Sequence, residues 1–242
     1  MKNLLSISHA NSAACMLIFL LHSQFANATP ITSVDYDSLL IGAKIVGPVG
    51  PDVEVSLINL NGDSVGDLSS SVSCPTGFTS CEPPLNAPGT IYTYSHTLIP
   101  GVDNPNDAPF PNPVTVLPFD DVSLFSLGFA ATGFNGVAGY SFSDAANANV
   151  EFSIELLGSG EISWLTNNTD WDTGETITFF WQTTQAPSGP GGTFNISNSN
   201  GSASGAGPIP AALPVKEPVS LSVVLLGLLV TLRRVKKTNK AV

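Results

Sequence analysis

Basic residues are almost missing from the long central part of this chain. Between residues 29 and 214 there is one lysine, Lys44, and no arginine, whereas 18 of the 19 acidic residues lie there. One positive and 18 negative side chains give this segment a formal charge of −17. Because such a field repels nucleic acids and other anionic polymers, it excludes nucleic acid as a partner. Two explanations stay open: cation binding or a hydrated acidic surface in a matrix, and simple solubility.

Histidine is also scarce, which excludes several kinds of active site. After residue 28 the only histidine is His96, too few for a zinc site of three or four ligands. A Ser-His-Asp arrangement would have to use His96, which we expect on a strand surface, and no Gly-x-Ser-x-Gly motif is present. We therefore predict that the chain is not an enzyme. A glycoside-active enzyme is the remote alternative, because its two carboxylates need no recognisable spacing in the sequence.

Cys74 and Cys81 are the two cysteines that follow residue 28. Pro75 and Gly77 lie between them, so the chain can turn and bring the two thiols together. A pair of this kind oxidises in compartments outside the cytoplasm. We predict one disulfide that pins a local turn, stabilises by about 2 kcal/mol in the loop-closure model, and leaves no thiol nucleophile.

The first 28 residues have the features of a secretory signal peptide. Lys2 is followed by an apolar run over residues 15–21, and the small residues Ala26 and Ala28 precede Thr29. This order is typical of a segment that signal peptidase removes during export. We therefore predict a signal peptide over residues 1–28 and an exported mature chain.

A short apolar segment near the other end predicts a membrane helix. Residues 219–232 contain no ionisable side chain and are mostly Val and Leu. As a helix they would span roughly 21 Å, less than the ~30 Å hydrocarbon core, and the basic cluster over residues 233–237 could snorkel to cover the difference. By the positive-inside rule this cluster stays cytoplasmic; its basic residues are Arg233, Arg234, Lys236 and Lys237. A buried core helix is the alternative that this length also permits.

A tetrapeptide directly precedes this segment: Val215, Lys216, Glu217 and Pro218. With a signal peptide in front, and a hydrophobic helix and a basic end behind, the chain resembles bacterial proteins with a PEP-CTERM sorting domain, the substrates of exosortase. Lys216 stands where the family usually has its first proline, whereas the Glu-Pro pair is kept. The resemblance covers about 30 of 242 residues and bears only on sorting.

That resemblance implies a route for the protein. Exosortase, a membrane enzyme, would process the chain near Glu217 and Pro218 after the inner membrane has held it transiently. The mature protein would then reach the cell surface or the extracellular matrix. A permanent single-pass anchor is the alternative to processing.

The central part is predicted to be all-β. Apolar and polar side chains alternate with a period of two over residues 150–156 and 176–183, as in half-buried strands. Further segments rich in β-branched and aromatic residues are 53–60, 90–97, 122–129, 137–142, 161–165 and 193–197. We predict a single β-sandwich of two sheets, jelly-roll-like, over residues 29–197. Residues 198–214, rich in Ser, Gly and Pro, are predicted to form a flexible stalk.

Two loops rich in Asp and Asn offer the hard oxygen donors that calcium prefers. The candidates are Asp103 and Asp107 in one loop and Asp170 and Asp172 in the other. Neither loop has the EF-hand pattern, and turns in which Asx side chains bond their own backbone explain the same residues. We predict no required cofactor, with calcium as the one candidate.

The three tryptophans raise a carbohydrate-binding interpretation, because sugar-binding sandwiches use exposed aromatic faces. Trp164 and Trp181 alternate with polar residues and are expected in the core, which leaves Trp171 as the candidate platform. Two function classes follow from the sequence. The first is an exported, exosortase-sorted surface or matrix protein with a structural or adhesive role; the alternative is a carbohydrate-binding module that recognises extracellular polysaccharide.

Overall fold

The computed structural model describes residues 28–47, 49–104 and 115–213. The predicted signal peptide (except Ala28), sorting motif, membrane helix and basic cluster lie outside these residues, and so does Asp107. No helix within the described ranges is long and apolar enough to cross a membrane.

Strands dominate the described residues, so the predicted all-β class is confirmed. The strands are β1 (Thr29–Ile31), β2 (Val34–Asp35), β3 (Ile41–Lys44), β4 (Val53–Asn59), β5 (Ser64–Pro75), β6 (Tyr92–Pro100), β7 (Leu124–Leu127), β8 (Phe134–Tyr140), β9 (Phe152–Leu156), β10 (Ile162–Thr166), β11 (Ile177–Thr183), β12 (Pro187–Ser197) and β13 (Ser202–Pro210). One short helix, α1 (Phe142–Asn147), and two 3-10 turns, Tyr36–Ser38 and Pro83–Leu85, complete the regular structure of these residues.

The strands form one curled sheet, not the two separate sheets that were predicted. Its order is β1-β9-β10-β7-β12-β13-β4-β5-β6-β11-β8-β2, with β3 paired to β5 outside this path. The two halves of the sheet meet face to face. Phe125 of β7 stacks on Phe179 of β11 with ring centroids 4.6 Å apart, and Phe194 of β12 lies 4.4 Å from the His96 ring of β6.

Strand β13 joins the two halves, and it occupies most of the segment that was predicted to be a stalk. It pairs with β12 along most of its length and with β4 at Ala203 and Ser204. Small residues are required here because the neighbours are close: a Cβ on Gly207 would come within 2.5 Å of the Phe194 ring. The prediction of a flexible stalk over residues 198–214 is therefore wrong for Ser202–Pro210, and the sheet continues beyond the predicted domain end at 197.

The first residues of the domain connect the two edges of the curled sheet. Strand β1 pairs antiparallel with β9 at one edge, and β2 pairs parallel with β8 at the other. The approach is close, since a Cβ on Gly139 of β8 would overlap the carbonyl oxygen of Val34. Strand β10, which lies next to β9, also contacts β8 at the other end of the sheet. Its Trp164 indole donates to the Gly139 carbonyl at 3.0 Å. The N-terminal segment therefore covers edges that would otherwise be open to another strand.

Asp35 and Asp37 fasten this segment to the start of α1. Asp35 Oδ1 accepts the Phe142 amide, and Asp37 Oδ2 accepts the Ser143 amide, each at 3.1 Å. Burial acts to raise the pKa of Asp37, but the hydrogen bonds from Ser143 and Ser141 outweigh it and hold the pKa below its usual range. Carboxylates at the amino end of a helix are also favoured by the backbone dipoles.

The predicted disulfide between Cys74 and Cys81 is present, with Cα atoms 5.5 Å apart. It links the end of β5 to the residues before the second 3-10 turn, and both cysteines are buried. The bridge closes only the local loop between the two cysteines, which are 7 positions apart in the sequence.

Candidate functional site

Trp171, the predicted aromatic platform, is fully buried, so that prediction is wrong. Its ring packs edge-on against Phe152 and tilted against Phe179, each with centroids 5.6 Å away, and its indole nitrogen donates to the Glu175 carbonyl at 3.1 Å. Although the loop around it is polar, the Trp171 side chain points inward, and its ring fills space between the two halves of the sheet. Trp164 and Trp181 are buried in the core as predicted.

His96 lies on a strand as predicted, but its ring is fully buried, not on the surface. Trp181 Nε1 donates to His96 Nε2 at 3.2 Å, and Ser70 Oγ lies 3.0 Å from Nδ1. Because an indole nitrogen only donates, Nε2 must accept, so the neutral ring carries its proton on Nδ1 and donates it to Ser70. Burial lowers the pKa of His96 to about 3. A ring with this tautomer cannot take a proton from Ser70, so the pair is a structural contact in the core.

The calcium candidates are engaged as hydrogen-bond acceptors. Asp103 Oδ1 accepts from Ser56 Oγ at 2.9 Å, and Asp172 Oδ1 accepts the Asp121 amide at 2.9 Å. Asp170 Oδ2 accepts from two Asn side chains. Within the ranges that the structure describes, no three His, Cys, Asp or Glu side chains converge as metal ligands would. Asp107 lies outside those ranges.

A cavity of about 480 Å³ lies where the loops after β4, before β7 and after β12 meet. Asp120 lines it, and hydrogen bonds from the Thr173 side chain and backbone amide hold the pKa of Asp120 below its usual range. Asn198 Nδ2 donates to the Asp120 carbonyl at 2.8 Å. Hydrogen bonds between amide, carbonyl and carboxylate groups thus connect these loops to one another.

The larger concavity is a groove of about 820 Å³ between α1, the start of β9 and the loop after β10, which we call the Phe142 groove. Phe142 forms one wall with 42% of its surface exposed, and its ring leans on buried Tyr140 with centroids 5.0 Å apart. Four polar residues also line the groove, and we call them its polar wall: Asn149, Glu151, Asn167 and Asn168.

The polar wall is held in place by its own hydrogen bonds. Asn168 Nδ2 donates to the Asn149 carbonyl at 2.8 Å and to Asp170 Oδ2 at 2.9 Å, and Asn149 Nδ2 donates to the same Asp170 oxygen at 2.8 Å. Asn149 has φ of 54°, a left-handed conformation that asparagine tolerates better than most residues. The backbone N–H of Asn167 donates to the Glu151 carbonyl at 3.0 Å. These contacts order amide and carboxylate groups in the same groove as an exposed ring.

The Phe142 groove is the best candidate site because it combines an exposed ring with ordered polar groups in one concavity. Sequence reasoning missed it. Asn149 and Asn168 come from segments that the sequence does not connect, and Phe142 was assigned to the end of a strand. The one available signal was Ser141, an N-cap residue with Asp144 three positions later, which marks the start of a helix with Phe142 in its first turn.

Comparison with protein-family models, with curated proteins and with solved structures finds no match for this chain.

Proposed function

We propose that this chain is an exported cell-surface or extracellular-matrix protein, sorted by exosortase, with a structural or adhesive and non-catalytic role. The observation that carries the proposal is the order of segments: a signal-peptide-like start, a β-domain with a predicted charge of −17 over residues 29–214, and the motif over residues 215–218 ahead of an apolar segment and a basic end. We interpret the two facing halves of the curled sheet as a jelly-roll-like sandwich joined by β13.

Two features of the domain support a non-catalytic role. The only histidine after residue 28 is locked in the core as a neutral ring that bonds Ser70 and Trp181. The only two cysteines after residue 28 are joined to each other. This histidine and these cysteines are therefore engaged in structural contacts and do not serve as a general base or as thiol nucleophiles.

The partners proposed for sorting are signal peptidase, exosortase and, transiently, the inner membrane. Mass spectrometry of the protein recovered from the cell surface tests this. We expect a chain that begins near Thr29 and lacks residues 219–242. Glu217→Ala and Pro218→Ala should leave the tail attached, whereas the matched control Pro214→Ala should be processed normally. Recovery of residues 233–242 on the wild-type surface protein would contradict processing and favour the permanent anchor.

Carbohydrate binding is the second candidate function, and a specific observation now favours it at a different place. Trp171 is buried and so cannot stack on a sugar, whereas Phe142 has an exposed ring in the same groove as the ordered polar wall. The test is binding of neutral and charged oligosaccharides to the whole protein, with Phe142→Ala as the variant that removes the ring.

A further inference from the structure

We propose that the Phe142 groove binds a glycan that carries ammonium groups, that is, a polymer of amino sugars with free amines. This inference rests on the carbohydrate-binding function proposed above and is independent of sorting. Its support comes from three features of the groove: the fixed aromatic wall, the acceptor-rich polar wall and the charge of the surrounding domain.

The aromatic wall is pre-organised for a flat, weakly polar ligand face. Phe142 stands at the first position of α1, its amide nitrogen is held by Asp35 Oδ1 at 3.1 Å, and its ring rests on Tyr140 at 53°. One face of a pyranose ring carries only C–H groups, which pack on an aromatic face. A nearby ammonium group is attracted to the same ring by its quadrupole. Little ordering of the protein is therefore needed for binding.

The polar wall offers more acceptors than donors. Both amide hydrogens of Asn168 are used by Asn149 and Asp170, while its Oδ1 is enclosed and has no hydrogen-bond partner among the described residues. Asn168 therefore has no amide hydrogen left to donate to a ligand. The Glu151 carboxylate lies on the same wall and is exposed. Charge-assisted hydrogen bonds from an ammonium to such groups are stronger than neutral ones.

The charge of the domain selects the class of glycan. With 18 acidic residues against one lysine over residues 29–214, the domain repels polysaccharides that carry carboxylate, sulfate or phosphate groups. The one lysine, Lys44, is paired with Asp52 and does not line the groove. A neutral glycan would gain nothing from this field, whereas an ammonium-bearing one is drawn toward Glu151 in the groove.

The test is isothermal titration calorimetry on the full chain in mild detergent at mildly acidic pH, where sugar amines are protonated and most carboxylates are ionised. The probes are the glucosamine tetramer and the N-acetylglucosamine tetramer. We expect the first to bind about tenfold more tightly and to weaken as salt is added. Phe142→Ala should weaken its binding about tenfold and Glu151→Gln several-fold.

Matched controls separate the groove from the general field. Glu155→Gln makes the same charge change within β9, four residues after Glu151 and ~13 Å from it by extended-chain geometry, and should change binding less than about twofold. Leu60→Ala removes a fully exposed apolar side chain elsewhere and should have no effect. Phe142→Leu keeps apolar bulk without an aromatic ring, so it should bind weakly even if the alanine variant is destabilised.

Each contrary result overturns a stated part of the reasoning. Equal binding of both tetramers, lost in Phe142→Ala, would keep carbohydrate binding and overturn the ammonium assignment. Equal weakening by Glu151→Gln and Glu155→Gln would mean that the domain attracts cations without a site, which overturns the groove. If neither tetramer binds, both the inference and the carbohydrate-binding function are overturned.

Discussion

Acid should destabilise this domain through a single buried histidine, His96. Its folded pKa of about 3 lies well below the ordinary value of 6.5, because the ring is fully buried. The unfolded chain therefore binds one more proton than the folded chain at any pH between these two values. The stability that the neutral ring contributes is fully present above pH 6.5 and is lost as the pH falls toward 3. The loss is about 1.4 kcal/mol per pH unit, or about 3 kcal/mol at pH ~4.

The measurement is urea unfolding of the full chain at a series of pH values, followed by the fluorescence of the three buried tryptophans. His96→Gln is the reference, because glutamine can accept from Trp181 and donate to Ser70 but does not titrate. Carboxylate protonation is common to both proteins, so the difference between their pH slopes isolates the histidine. If the two free energies of unfolding fall in parallel below pH 6.5, the burial argument for His96 is refuted.

Three further changes test the fold. Gly139→Ala should cost about 3 kcal/mol in urea unfolding by pushing β2 off β8, whereas Gly201→Ala, which meets no neighbour, should cost less than about 1 kcal/mol; equal costs would contradict the close approach. Reduction of the Cys74–Cys81 bridge should lower stability by about 2 kcal/mol and leave the circular dichroism spectrum unchanged; a loss of strand signal would show a larger role. Asp37→Asn should cost about 0.5–1 kcal/mol at neutral pH, and this difference should vanish as acid protonates the wild-type carboxyl; a pH-independent cost would exclude its charge as the cause.

The strands with strong hydrophobic alternation could be predicted from the sequence. All eight predicted segments overlap a strand, namely β4 and each strand from β6 to β12, because one buried face imposes a period of two on side chains. Residues 150–156 and 176–183, the clearest cases, contain β9 and β11 with their aromatic residues directed into the core. The disulfide could be predicted as well, since only one pairing of the two cysteines exists.

The strands made of small or polar residues could not be predicted in the same way. Strand β5 is the longest described strand, yet five of its twelve residues are serine, a residue without strong strand preference. It is buried because β4 and β6 flank it, which is a property of the assembled sheet. Strand β13 has the composition of a linker, although Ala203, Gly205 and Gly207 alternate along it. Their small size serves close packing on Phe194 and Leu57, which local sequence does not reveal.

The candidate site was mispredicted for a related reason. Trp171 stands among Asn and Asp residues, so its neighbours in sequence indicate a surface loop, but its contacts are made with Phe152 and Phe179 from two other strands. Phe142 is adjacent to an apolar strand segment and so resembles a core residue. Exposure of an aromatic ring depends on which elements cover it, and that information lies in the topology.

Several carboxylates of this acidic domain are bound by groups other than basic side chains. The one lysine of the domain pairs with Asp52. Four other carboxylates accept from neutral donors, which are backbone amides at Asp37, Asp120 and Asp172 and Asn side-chain amides at Asp170. A backbone amide that bonds a carboxylate at a turn holds two segments together as a salt bridge would, without the entropy of ordering a long basic side chain. Aspartates clustered in loops are therefore expected in such a chain even without calcium.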